Sequence, residues 1–371
     1  MPTDQVELRA SATRKALTRA RAAIPRVVEL DPELGERLNV RFDLMANAVE
    51  QGLGSGCSAE DTADLIRRGE ELIGETIAFI GGAAARRLDL DGGFTSLALA
   101  WLDALSDKVE LPRVAVVIPA STDIAGLLTQ VIRLRLPSDG IWGLPAAVHE
   151  YGHFVASVLT RREARRDMAR TIVPIEERTH GAASDADFPQ LHSHGHELFA
   201  DAFAAVTAGP AYTRYCIHHR FDPRDAQSVT ATHPAFTRRI RVQLAAMHRI
   251  ATGTQQPYIT AEINALGAAW EAAVQATGED PAIRPDANLD RLEERLLGLL
   301  DDDKLVALRY GEHVDARRLA QSPLAQAESA GSVAEALNAA WVLRLRNGPA
   351  ENVDTIAAAC ERLVGQVLGR V

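Results

Sequence analysis

"LPAAVHEYGHFVASVLTRR", Leu144 to Arg162, is an apolar stretch holding two histidines, His149 and His153, with Glu150 directly after the first. Pro145 suits the first turn of a helix, where its fixed φ helps and its missing amide costs nothing. The segment predicts a helix from about Pro145 to about Arg162. The cations of "RREARR" (Arg161–Arg166) follow at its C-terminal end, where the helix dipole favours them. On such a helix the two histidines stand one turn apart on one face, so both imidazoles can reach a single tetrahedral zinc ion at about 2.0–2.1 Å. Glu150 sits where it can take a proton from a water held by that zinc and later deliver it to a leaving amine. The HExxH spacing thus points to metal-assisted amide hydrolysis. The competing reading is a core helix whose histidines are satisfied by their neighbours.

Two histidines do not complete a site, and the second half lies downstream. "HELFADAF" (His196–Phe203) places Glu197 and Asp201 four apart among Leu198, Phe199, Ala202 and Phe203. Carboxylates inside an apolar helix cost free energy unless they are paired or bind a metal. Glu197 therefore reads as the third zinc ligand, which leaves the fourth position to water. Asp201, one turn on, is spaced to hydrogen-bond the outer nitrogen of a ligand histidine and fix its tautomer. Residues 171–195 lack periodicity and are rich in turn formers, so they predict a long loop. His180, His192, His194 and His196 precede Glu197; were His192, His194 or His196 the ligand instead, Glu197 would stand behind it.

Outward from this core, residues 3–110 are rich in Ala, Leu, Arg and Glu at helical spacing. In "SAEDTADLIRRGEELIGETIAFI", Ser58 is a candidate N-cap, and Leu65, Ile66, Leu72, Ile73, Ile77 and Ile80 form the expected buried stripe. "QGLGSGC" reads as an interhelical loop, and "FTSLALAWLDALSDKV" as another amphipathic helix. The character changes at Leu111: "RVAVVIPA" predicts a strand, and "VIRLRL" a half-exposed strand, either an edge that would suit an extended peptide or an internal strand of a small sheet. From Gln255 the chain is again helical. The expected fold is α+β and mostly helical: a small sheet with two active-site helices, flanked by helical regions. The boundaries fall at 1–110, 111–254 and 255–371.

These elements resemble a known family. HEYGH followed by ELFAD is similar to the HExxH…ExxxD arrangement of the gluzincin metallopeptidases. "THPAFTRRI" (Thr232–Ile240) is similar to the Thr-His-Pro…Arg-Ile element of the CAAX prenyl endopeptidases and HtpX-like heat-shock proteases. The resemblance covers roughly residues 110–250 and implies a zincin-like core. It implies His149, His153 and Glu197 as zinc ligands, Glu150 as general base, and Asp201 as the carboxylate behind a ligand. It places His233 near the substrate or developing oxyanion, and Arg239 as an ion-pair partner. Tyr212 and Tyr215 follow the third-ligand helix, as packed residues or within reach of an oxyanion.

Composition narrows the function further. A formal charge of -10 without a long basic run argues against a nucleic-acid partner. No run of about 18 apolar residues occurs and the N-terminus lacks an apolar signal region, so the expectation is a cytoplasmic protein without a membrane span. Family members with several spanning helices differ in this respect, and a soluble polypeptide is the expected substrate. Cys57, Cys216 and Cys360 lie far apart and form no CxxC pair, which suggests reduced thiols. The expected activity is that of a soluble zinc-dependent metalloendopeptidase. The alternative is an inactive or regulatory metal-stabilised interaction protein built on a peptidase core.

Overall fold

The computed structural model describes residues 3–30, 32–54, 58–109, 111, 113–114, 116–120, 124–126, 131–135, 140–158, 188–347 and 353–369. Among the described residues the chain is mostly helical with one small sheet, an α+β protein, and it divides into two compact units. Among the described residues no helix is long and apolar enough to cross a membrane.

The first unit comprises Met1–Leu99 and Arg113–Ser138. Its helices are α1 (Thr3–Leu30), α2 (Pro32–Gly54) and α3 (Ala59–Arg87), and α4 (Phe94–Val109) begins in it and continues into the second unit. Apolar residues at helical spacing build the core: Leu17, Ile24 and Val27 of α1, Phe42, Ala46 and Val49 of α2, and Leu72, Phe79 and Ala83 of α3. The Ser58 hydroxyl accepts the Asp61 amide at 3.1 Å and so caps α3 as its sequence predicts. Of the expected stripe, Ile66 and Leu72 are buried and Leu65 and Ile73 partly buried, but its C-terminal end departs from the expectation. Ile77 and Ile80 are exposed, at 70% and 38%, while Phe79 and Ala83 are buried. Gly82 gives the reason: a Cβ there would stand 2.8 Å from the Ile118 Cβ, so the C-terminal part of α3 turns Gly82, not Ile77 and Ile80, toward the sheet.

That sheet has the order β1-β3-β2, built from β1 (Val116–Ala120), β2 (Ile124–Gly126) and β3 (Val131–Arg135). β1 and β3 are parallel, in register from Val116↔Val131 to Ala120↔Arg135, and β2 runs antiparallel to β3. The "VIRLRL" strand is therefore central among the described residues, the internal of its two expected placements, with β2 pairing along Val131 to Arg133. β2 has three residues, too few to carry a periodic signal.

The second unit comprises Ala100–Pro112 and Asp139–Val371. It holds α5 (Pro145–Val158), α6 (Phe188–Ala208), α7 (Pro210–Tyr215), α8 (Phe236–Met247) and the C-terminal helices from Gln256 onward. The compositional boundaries at 110 and 254 differ from these units. Residues 113–138 pack with the N-terminal helices, and the C-terminal helices belong with α5 to α8. The end of the segment expected to be a loop is helical, because α6 starts at Phe188 and includes His192, His194 and His196. His180, the "RREARR" tail and the rest of that loop lie outside the described residues. Trp101, Trp142, Trp270 and Trp341 are buried, and the Arg344 guanidinium lies over the rings of Trp142 and Trp341 at 4.6 and 4.9 Å.

α5 packs against α6 at the glycine of HEYGH. A Cβ on Gly152 would lie 2.8 Å from the Ala200 Cα and 3.2 Å from its Cβ. Backbone cannot give way as a flexible side chain can, so Gly152→Ala must push the helices apart. Alanine gains roughly 0.5–1 kcal/mol of helix propensity over glycine. Overpacking costs about 1–3 kcal/mol, and the clash wins. Gly152→Ala is expected to lower the urea midpoint; an unchanged or raised midpoint would contradict the close crossing.

Candidate metal centre

The crossing brings the two halves of the sequence pattern together. His149 and Glu150 are buried on α5, and His153 is partly buried one turn on. One ligand-capable atom from each of His149, Glu150 and His153 lies within 4.8 Å of the others, so this group can hold a metal ion. Glu197 of α6 faces it: its Oε2 is 3.6 Å from His149 Nε2 and its Oε1 is 3.5 Å from His153 Nε2. Glu150 Oε1 lies 3.8 Å from His149 Nε2. Buried polar atoms are nearly always hydrogen-bonded, yet His149 Nε2 is buried and makes no hydrogen bond. A buried imidazole nitrogen left open among carboxylates is suited to a cation.

The other side of His149 is filled. Its Nδ1 lies 2.9 Å from the Tyr212 hydroxyl and 3.2 Å from Asp201 Oδ1. Tyr212 donates to Asp201 Oδ1 at 2.5 Å, and the rings of Tyr212 and His149 stack. α6 ends at Gly209, whose φ is +65° and where a Cβ would run into the Tyr310 ring. That turn, followed by Pro210, returns α7 toward α6 and delivers Tyr212 to this position. Tyr212 thus serves the outer nitrogen of His149 and is not an oxyanion donor.

Arg239, on α8, neutralises the buried acids. Its Nε and Nη2 donate to Asp201 Oδ2 and Oδ1 at 2.6 and 3.0 Å, and Nη2 also pairs with Glu197 Oε2 at 3.0 Å. The guanidinium is 2% exposed and lies 4.9 Å from the Phe221 ring centroid. The pairing leaves Glu197 Oε1 as the oxygen turned to His153.

Burial penalises charge on each of these groups, and the partners decide the outcome. Against burial, Arg239 and then His153 hold the Glu197 carboxyl well below the usual range. Asp201 is held below it as well, against burial, by Arg239 and His149. For His153 burial prevails and drives the imidazole down to about 3, so near neutral pH it is uncharged and able to bind a metal. His149 goes the other way. Burial and Arg220 push it down, but Asp201 and Glu197 outweigh them and raise it. Its environment favours positive charge, and a metal cation at Nε2 satisfies the same field as a proton.

Two further groups border the centre. Arg220 Nη2 lies 3.4 Å from Glu150 Oε1. It ends a π-turn, Cys216–Arg220, closed by the Phe221 amide donating to the Cys216 carbonyl at 2.9 Å. Sequence reasoning missed Arg220: it stands 70 residues from Glu150, and no local pattern connects them. His233 is half-exposed, with Nε2 3.5 Å from Glu197 Oε1 and Nδ1 2.8 Å from the Thr232 hydroxyl. Of the histidines before Glu197, His194 lies with Nε2 2.9 Å from the Thr230 carbonyl. His196 stacks beside His153 at 6.2 Å between ring centroids and meets the His192 ring edge to face at 4.8 Å.

Compared with protein families, curated proteins and solved structures, the chain matches none of them.

Proposed function

We propose that this chain is a zinc metallopeptidase of the HExxH…ExxxD kind, with α5 and α6 as the paired active-site helices of a zincin-like core. The observation that carries the reading is the open, buried His149 Nε2, flanked by Glu197, which also faces His153. In this reading His149, His153 and Glu197 hold zinc, whose preference for imidazole and carboxylate ligands they match. Glu197 is preferred to Glu150 as the third ligand because its two oxygens face both imidazoles, whereas Glu150 lies between His149 and Arg220. A zinc ion held there would supply a lowered water pKa and polarisation of the amide carbonyl of a polypeptide substrate. Glu150 takes the water proton and passes it to the leaving amine. Asp201 holds His149 in place, and half-exposed His233 donates to the oxygen on which negative charge develops. The buried free thiols Cys216 and Cys360 suit a reducing compartment such as the cytoplasm.

Metal analysis tests the reading directly. The full chain is expected to bind about one equivalent of zinc, to lose hydrolysis of a peptide library on chelation, and to regain it on zinc addition. A chain that stays metal-free when supplied with zinc would sink the proposal. Bound metal without any hydrolysis would leave the regulatory reading in its place.

A further inference from the structure

Tyr212 is fully buried, and its hydroxyl lies between two groups of the centre. A phenol has one hydrogen to give and lone pairs to receive. At 2.5 Å from Asp201 Oδ1 that hydrogen goes to the carboxylate, which has none of its own to offer. The phenol oxygen, 2.9 Å from His149 Nδ1, is then left as an acceptor, and the imidazole must donate from Nδ1. The direct alternative is weaker, since Asp201 Oδ1 is 3.2 Å from Nδ1 and already receives both Tyr212 and Arg239. An imidazole with its hydrogen on Nδ1 presents a bare lone pair at Nε2. That is the atom left without a hydrogen bond beside Glu197.

We propose that Tyr212 is a positioning residue of the metal centre, relaying the hold of Asp201 onto His149 and fixing the tautomer that turns the Nε2 lone pair toward the metal. The proposal rests on the metal reading above and adds to it a residue that the HExxH…ExxxD pattern does not contain. The relay differs from a direct carboxylate–histidine contact in one testable way: removing a single hydroxyl weakens the metal site while every charge remains.

The experiment titrates cobalt(II) and zinc into full-length wild type, Tyr212→Phe and Tyr151→Phe. Tyr151 is the control, a buried tyrosine on α5, the helix of His149, whose hydroxyl pairs with the Ser106 hydroxyl at 2.8 Å. Loss of an outer hydrogen bond to a ligand histidine lowers metal affinity by about 10- to 100-fold. Tyr212→Phe is expected to show such a loss in chelator competition, together with a shifted cobalt(II) visible spectrum. Tyr151→Phe should match wild type in both. If wild type binds neither metal, the metal reading fails and takes this proposal with it. If wild type binds and Tyr212→Phe binds equally with the same spectrum, only the proposal fails. Should Tyr212→Phe not fold, nitrogen NMR of histidine-labelled, metal-free wild type decides, with the pH raised until His149 has lost its second proton. The Nδ1–H form of His149 supports the relay, and the Nε2–H form overturns it.

Discussion

Glu150→Gln should retain zinc and lose peptide hydrolysis by about two to four orders of magnitude, the usual contribution of a positioned general base. Glutamine keeps the size and an acceptor oxygen of glutamate but cannot hold the transferred proton. The ligand atoms are untouched, because His149, His153 and Glu197 supply the nitrogens and oxygens we assign to the metal. Arg220, 3.4 Å from Glu150 in the wild type, would face a neutral amide. Parallel measurement of zinc content and kcat/KM separates the two roles of the centre. Hydrolysis equal to wild type would remove Glu150 as the base, and loss of zinc would make it a ligand.

The second large effect belongs to Arg239. Removing one partner of a buried ion pair typically costs about 3–5 kcal/mol, because the other charge is left uncompensated. Arg239→Met keeps much of the side-chain volume but leaves Asp201, 0% exposed, and Glu197 without their guanidinium. In the wild type both carboxyls lie below their unfolded range, so the stability they contribute is complete above about pH 4 and falls as acid protonates them. In the variant the buried acids gain protons more readily than in the wild type. Urea unfolding of chelated Arg239→Met should therefore show its deficit in full at pH 7 and a smaller one near pH 4. A deficit of the same size at both would mean that packing against Phe221, not charge, is what Arg239 provides.

Much of this centre is legible in the sequence because its two halves are local. His149 and His153 share a helix face by period alone, and so do Glu197 and Asp201. The spacing also states a cost: two acids among Leu198, Phe199, Ala202 and Phe203 need partners. It does not say which partners. The structure supplies Arg239 from α8 and Tyr212 from the turn after Gly209. Where local patterns failed or left alternatives open, packing decided. Alternation in "VIRLRL" left an edge and an internal strand equally open, and pairing with β1 and β2 decides for the internal one. Turn-forming residues hid the first turns of α6, where Gln190 and His194 meet the Thr230 carbonyl. Ile77 and Ile80 of α3 lost the core to Phe79 and Ala83, where Gly82 brings the helix close to Ile118 of the sheet.

The sequence by itself determined a mostly helical chain, a histidine pair beside a glutamate, and a second helix with two carboxylates one turn apart. These follow from residue type and the helical period. Only the tertiary structure decided what the atoms face: Gly152 lets the helices cross closely, Arg239 keeps the acids ionised, Tyr212 occupies the outer nitrogen of His149, and Arg220 reaches Glu150. Charge and hydrogen bonding at a buried site depend on groups brought in from distant segments. The resulting field, more than the motif, leaves one nitrogen open.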